Sequence, residues 1–124
     1  VLDPGHAHAN GRPWLAGENA REIVETYIGG PLGSHPDRIA AISALTHLSA
    51  AAPPTLVIQP ARDDFIPAAG THAVAARAAA AGAEMTVIGL PFAHHAYDLV
   101  PGSLGNQLRR RITTDWLRSR GLAP

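Results

Sequence analysis

The chain has 124 residues, with ten basic side chains against ten acidic ones and a formal net charge of zero; the length permits one domain, and the even balance lacks the excess of Lys and Arg on which non-specific nucleic-acid binding leans. Cysteine is absent, which excludes disulfides, zinc–thiolate sites and thiol nucleophiles together. No apolar run reaches the roughly 18–20 residues of a membrane helix and no charged-then-apolar leader opens the chain, so this portion is expected to be soluble, with the cytoplasm as the default location although nothing in the sequence fixes the compartment.

Val1 to Gly17 reads as irregular, broken by Pro4, Gly5, Gly11, Pro13 and Gly17. Glu18 to Ile28 reads as a helix, with Asn19 as its cap, Glu22 three residues on, and Ile23, Tyr27 and Ile28 as a short apolar face. Gly29-Gly30-Pro31 ends it. Pro36-Asp37-Arg38 opens a short helical turn through Ile42, followed by a small-residue stretch from Ser43 to Ala52 and the pair Pro53-Pro54. Thr55-Leu56-Val57-Ile58 is an apolar, β-branched run, as expected of a strand buried on both faces of a parallel sheet. Pro67 suits the start of a helix over Ala68 to Ala81, which Gly82 stops. Glu84 to Ile88 is a second strand. Ser103 to Arg120 is a final helix whose Leu104, Leu108, Ile112 and Trp116 recur every four residues, with Gly121 beyond it.

The fold class is therefore α/β. Residues 1–53 form a loop and helical segment, and residues 54–124 a closing βαβα unit. A right-handed crossover lays the two strands parallel in one sheet, so that their carboxyl ends meet one edge, where open α/β sheets bind ligands. The loops leaving that edge are Gln59 to Pro67, with Arg62-Asp63-Asp64, and Gly89 to Asp98, with His94-His95. An Asp and a His on neighbouring loops are placed to hydrogen-bond. In a nucleophilic triad such a carboxylate fixes the imidazole tautomer while the imidazole takes a proton from a hydroxyl.

These residues carry a resemblance. Pro54-Thr55-Leu56-Val57-Ile58 followed by Asp63-Asp64-Phe65-Ile66-Pro67 resembles the penultimate strand and acid loop of α/β-hydrolases, most closely the esterase/lipase and prolyl-oligopeptidase-like branches. Pro91-Phe92-Ala93-His94-His95-Ala96-Tyr97-Asp98 is similar to the family's P-G-A-x-H-G-F segment. Tyr27 to Gly30 and Ala44 to Pro54 resemble the region before that strand, so the likeness spans most of the chain and is strongest from Pro53 onward. It implies the last two strands and flanking helices of a three-layer, mostly parallel α/β-hydrolase sheet. It also implies catalytic roles for Asp63, four residues before Pro67, and for His95, with a small-molecule ester substrate and no cofactor. The sequence departs from the pattern at Gln59-Pro60, at His94 and at Ala96, which leaves Asp64 beside Asp63, and His94 beside His95, as the alternatives.

The nucleophile is not in the chain. No G-x-S-x-G occurs. Gly102-Ser103 with Gly105 follows the histidine, has Pro101 in place of the first glycine and reads as a helix N-cap; Ser34, Ser43, Ser49 and Ser119 lack the flanking glycines of a strained elbow. The oxyanion segment that precedes the nucleophile in this fold is missing too. The chain begins at Val1 and is short for a complete doubly wound enzyme, so it is read as the C-terminal half of one, with the serine upstream. His6-Ala7-His8 is read as a loop, since two alternating histidines lack a clear third metal ligand. His35, His47 and His72 fit no pattern, and Arg109-Arg110-Arg111 reads as a solvated helix face.

Three readings follow. The leading one is a serine hydrolase of carboxylic esters whose triad acid and histidine lie here. A prolyl-oligopeptidase-like peptidase would use the same triad, and the acyl pocket decides between them. The third is an inactive fragment that acts as an interaction module. Strand Thr55 to Ile58 has an apolar make-up that calls for neighbours on both sides, and exposed strand edges invite association. The isolated chain is therefore expected to sediment as oligomers; a monodisperse monomer in sedimentation velocity would contradict that expectation.

Overall fold

The computed structural model describes residues 20–122 as a mixed α/β domain in which helices surround a parallel strand pair. Its elements run α1 (Ala20–Ile28), a 3-10 turn (Leu32–Ser34), α2 (Pro36–Ile42), α3 (Ala44–His47), β1 (Thr55–Pro60), α4 (Ala68–Ala80), β2 (Met85–Leu90) and α5 (Leu104–Arg118). The expected opening loop, with His6 and His8, lies outside the described residues, as do Glu18 and Asn19.

Helix α1 buries a different face from the one its larger apolar residues suggest. Ala20, Val24 and Ile28 are buried, while Ile23 and Tyr27 are exposed, Tyr27 at 77 %. Positions four apart form one stripe along a helix, and this stripe meets Leu32 and Phe65 in the main apolar cluster, with Ile39 and Ile66 packed against it. Gly29 follows at φ +82, a left-handed stop, and the Gly29 and Gly30 amides both donate to the Glu25 carbonyl. Helix α2 begins at Pro36, where a missing N–H costs nothing. The short helix α3 interrupts the small-residue stretch, with the Ser43 hydroxyl accepting from the Leu45 amide.

Strands β1 and β2 pair in parallel, from Thr55 opposite Met85 to Pro60 opposite Leu90. Each runs two residues further than the apolar runs suggest. The extension takes in Gln59-Pro60 on one side and Gly89-Leu90 on the other, and the pairing then passes into the loops: the Ala61 amide donates to Leu90 O and the Arg62 amide to Ala93 O, both at 3.0 Å. Gln59 reaches Thr71 of α4, whereas Leu56 and Ile58 border a groove with Thr113, Trp116 and Leu117 of α5. Successive strand side chains point to opposite faces, so α4 and α5 lie on opposite sides of β1.

Helix α4 is mostly alanine, yet Thr71, Val74 and Ala78 are almost wholly buried. In α5 the four-residue apolar stripe is only partly covered: Leu104 is 63 % exposed, and Gly105 is the one buried residue of the helix. Ser103 caps this helix, accepting from the Asn106 amide at 3.2 Å. At its far end the Arg120 guanidinium lies over the Trp116 ring, 4.0 Å from the centroid, and pairs with Glu84.

Gly105 is where α5 meets the chain before it. A Cβ there would run into the Tyr97 carbonyl oxygen and stand 2.8 Å from Tyr97 Cδ2. Overpacking against backbone that cannot move aside costs about 1–3 kcal/mol. Gly105→Ala is expected to lower unfolding stability by about that much in urea titration, whereas Gly33→Ala, at a position open to space and without a positive φ, meets no such clash.

Candidate functional site

The two loops at the carboxyl ends of β1 and β2 meet at Asp63 and His95. The turn after β1 is built around the Asp63 side chain, whose Oδ1 accepts the Phe65 amide at 3.0 Å and the Ile66 amide at 2.7 Å. Aspartate favours such turns because its short carboxylate reaches backbone donors two and three residues on. Phe65, fixed in that turn, sends its ring into the α1 cluster and against the His95 ring, with centroids 4.7 Å apart and planes inclined at 56°.

His95 Nδ1 lies 2.9 Å from Asp63 Oδ2 and 3.1 Å from Oδ1. A carboxylate accepts only, so Nδ1 is the protonated nitrogen of the neutral ring and donates. The Asp63 side chain is 5 % exposed and that of His95 20 %. The carboxylate is thus sealed behind an imidazole that still reaches the surface. Asp64 and His94 are both exposed, and the mutual contact belongs to their neighbours.

Beside the pair is a cleft of about 370 Å³, bordered by Ile58, Gln59, Ile66, Thr71, Tyr97 and Leu99 along with Asp63 and His95. No serine lines it. The nearest hydroxyl in kind, Thr71, is 2 % exposed and donates to Gln59 Oε1, so it is a strut and not a nucleophile. The described serines near helix ends have structural duties: Ser43 and Ser103 cap helices, and Ser119 Oγ donates to the Trp116 carbonyl. Among the described residues no cluster of three or more His, Asp or Glu is arranged to hold a metal ion. His47 Nε2 lies 2.8 Å from the Ala41 carbonyl oxygen, and His47 does not line the cleft.

Gln59 and Ala96, where the sequence departs from the hydrolase pattern it resembles, each have a distinct place in the structure. Gln59 is 5 % exposed at the end of β1. Its Oε1 accepts from Thr71, and its Nε2 donates to Pro60 O at 2.9 Å and to Ile66 O at 3.5 Å. The side chain therefore joins β1, the acid loop and α4. Ala96, immediately after His95, has φ +56 and is the one non-glycine residue with positive φ among those described. That conformation costs an L-residue about 1–2 kcal/mol.

Residues from α5 hold the segment after Ala96. Asn106 Nδ2 donates to the Asp98 carbonyl at 2.8 Å. Arg109, whose side chain is 40 % exposed, belongs to the arginine run read as solvated, and its Nε makes an ion pair with Asp98 Oδ2 at 2.9 Å, without hydrogen-bond alignment. Burial raises the Tyr97 phenol above its usual value and the Asp98 charge adds to this, while Arg109 opposes it; the phenol stays protonated at neutral pH. Sequence reasoning missed Asn106 and Arg109 as supports of the histidine loop. The available signal was an acid, Asp98, ahead of a helix with an amide and a base three residues apart in its first turns.

No protein-family model matches the chain, and no curated protein or solved structure matches it. The functional reading therefore stands on the residues and their geometry.

Asp63 has two duties that substitution can separate. Asp63→Ala leaves the Phe65 and Ile66 amides without their acceptor, and an unsatisfied buried donor costs about 1–3 kcal/mol. Asp63→Asn keeps an acceptor oxygen for those amides. Urea titration should show a clearly larger loss for Ala than for Asn; equal losses would mean that the turn does not depend on Oδ1.

Proposed function

We propose that the chain supplies the acid and the histidine of a serine hydrolase acting on carboxylic esters, and that it forms the closing strands and helices of an α/β-hydrolase sheet. The observation that carries the reading is the 2.9 Å contact between a nearly sealed Asp63 carboxylate and the Nδ1 of a partly exposed His95, at the carboxyl edge of two parallel strands. The serine and the oxyanion donors come from sequence N-terminal to this chain, because acid-then-histidine is the order in which these residues follow the nucleophile in that fold.

The chemistry follows from the hydrogen bond. With Nδ1–H donated to Asp63, the lone pair of the neutral ring sits on Nε2, where it accepts the proton of a serine hydroxyl as the oxygen attacks an ester carbonyl. The carboxylate stabilises the imidazolium that results. The ring returns its proton to the departing alkoxide, leaving an acyl-serine, and then serves a water molecule in the same way. The cleft beside His95 would face the substrate. These steps call for no cofactor. A peptidase would draw on the same pair with a different acyl pocket.

A structural reading has its own support, since Asp63 also accepts the Phe65 and Ile66 amides. In that reading the pair fastens two loops of an interaction module and performs no chemistry. Kinetics separates the two. In the polypeptide that includes the serine, His95→Ala should reduce kcat on a short-chain acyl ester by about 10⁴-fold or more, and the 124-residue chain alone should neither hydrolyse the ester nor form a covalent adduct with a fluorophosphonate. Full activity after His95→Ala, or an adduct on a serine of this chain, would contradict the proposal.

A further inference from the structure

We propose that the first turns of α5 act as a positioning latch for His95, with Asn106 and Arg109 as the positioning residues, and that the latch works by holding Ala96 in a conformation alanine resists. The inference rests on His95 being the functional imidazole of the proposed hydrolase, but its mechanical part can be tested without any activity.

Three observations meet on one short segment. Ala96, the residue that follows the imidazole, stands at φ +56, where a Cβ is disfavoured. The next two residues are gripped by α5: Tyr97 lays its carbonyl against Gly105, which only a residue without a Cβ permits, and Asp98 is held through its carbonyl by Asn106 Nδ2 and through its carboxylate by Arg109 Nε. On the other side, Ala93 is tied into the strand edge, its amide donating to Leu90 O and its carbonyl accepting the Arg62 amide. His94, His95 and Ala96 therefore span a gap between two anchors, and the second anchor comes from α5.

Strained backbone persists only where its surroundings over-determine it. If the second anchor is released, Ala96 is free to return to the right-handed or extended region. The chain direction after His95 then changes, and the ring is carried away from Asp63 Oδ2. On this account the alanine is the reason a latch is needed. A glycine at the same position would adopt the left-handed conformation without penalty and would make the latch dispensable. The coupling between position 96 and positions 106 and 109 is thus the signature of the device, and a double-mutant cycle measures it.

The test reads the His95 ring directly, by ¹⁵N correlation spectroscopy of the imidazole in the 124-residue chain. The wild-type ring should be in the Nδ1–H tautomer, fixed by Asp63. Asn106→Ala and Arg109→Ala, each checked for retained helix by circular dichroism, should lose that preference, and Ala96→Gly added to either should restore it. Arg109→Ala leaves the Ser103 cap and the Asn106 amide in place, so it serves if Asn106→Ala fails to fold. In the serine-bearing polypeptide the same single variants should lower kcat by up to about 10²-fold with little change in KM, again rescued by Ala96→Gly. A ring that keeps its Nδ1–H tautomer in both single variants overturns the latch. So does a loss that Ala96→Gly fails to restore, which would assign the effect to α5 packing alone. If the tautomer responds as expected but His95→Ala leaves ester hydrolysis intact, the latch stands and the hydrolase reading fails.

Discussion

Asp63 Oδ1 accepts two backbone amides of its own turn while Oδ2 faces His95 Nδ1 at 2.9 Å, so a single side chain closes the acid loop and joins it to the histidine loop. The rest of the site depends on this arrangement. Phe65 can reach both the α1 cluster and the His95 ring only because the turn is closed. A carboxylate that is 5 % exposed needs such a set of donors, since burial without them would be costly. The donors available are two amides and one imidazole, and the third is the one that could move a proton.

The parallel pair supplies the frame. Because β1 and β2 run in the same direction, both loops leave from one edge, and the bonds from Ala61 to Leu90 and from Arg62 to Ala93 carry the register on into the loops. Gln59 fixes the end of β1 to α4 from one face, and α5 grips Tyr97 and Asp98. The Asp63–His95 pair thus stands between two helices that hold opposite ends of the cleft. This is how a small domain with a modest core holds the His95 imidazole against Asp63.

Much of the frame is legible in the residues. The apolar, β-branched runs at 55–58 and 84–88 mark strands, proline and glycine mark where α4 begins and ends, and the order of elements implies a parallel pair with two loops at one edge. That placement brings an acid loop and a histidine loop together, and the resemblance singles out Asp63 and His95 within them. Other features lie beyond pattern reading. The spacing to Pro67 singles out Asp63 only by resemblance; which carboxylate faces inward in the turn is decided by amides at Phe65 and Ile66 that any sequence would provide. The inner face of α1 is set by Ala20, Val24 and Ile28, which join Leu32 and Phe65 in one cluster, while Tyr27 is left outside. Arg109 reads as solvated from its arginine run, yet it turns to Asp98 because the histidine loop passes over the start of α5. These are tertiary choices, made by contacts between segments that are distant in sequence.

If Asp63 and His95 complete a catalytic triad, its serine is encoded upstream. The coding sequence immediately N-terminal to Val1 should then hold a strand leading into G-x-S-x-G and a helix, with a glycine-rich oxyanion segment before them. An in-frame stop, or an upstream sequence without such an elbow, would contradict the triad and leave the Asp63–His95 pair as a fastening between two loops.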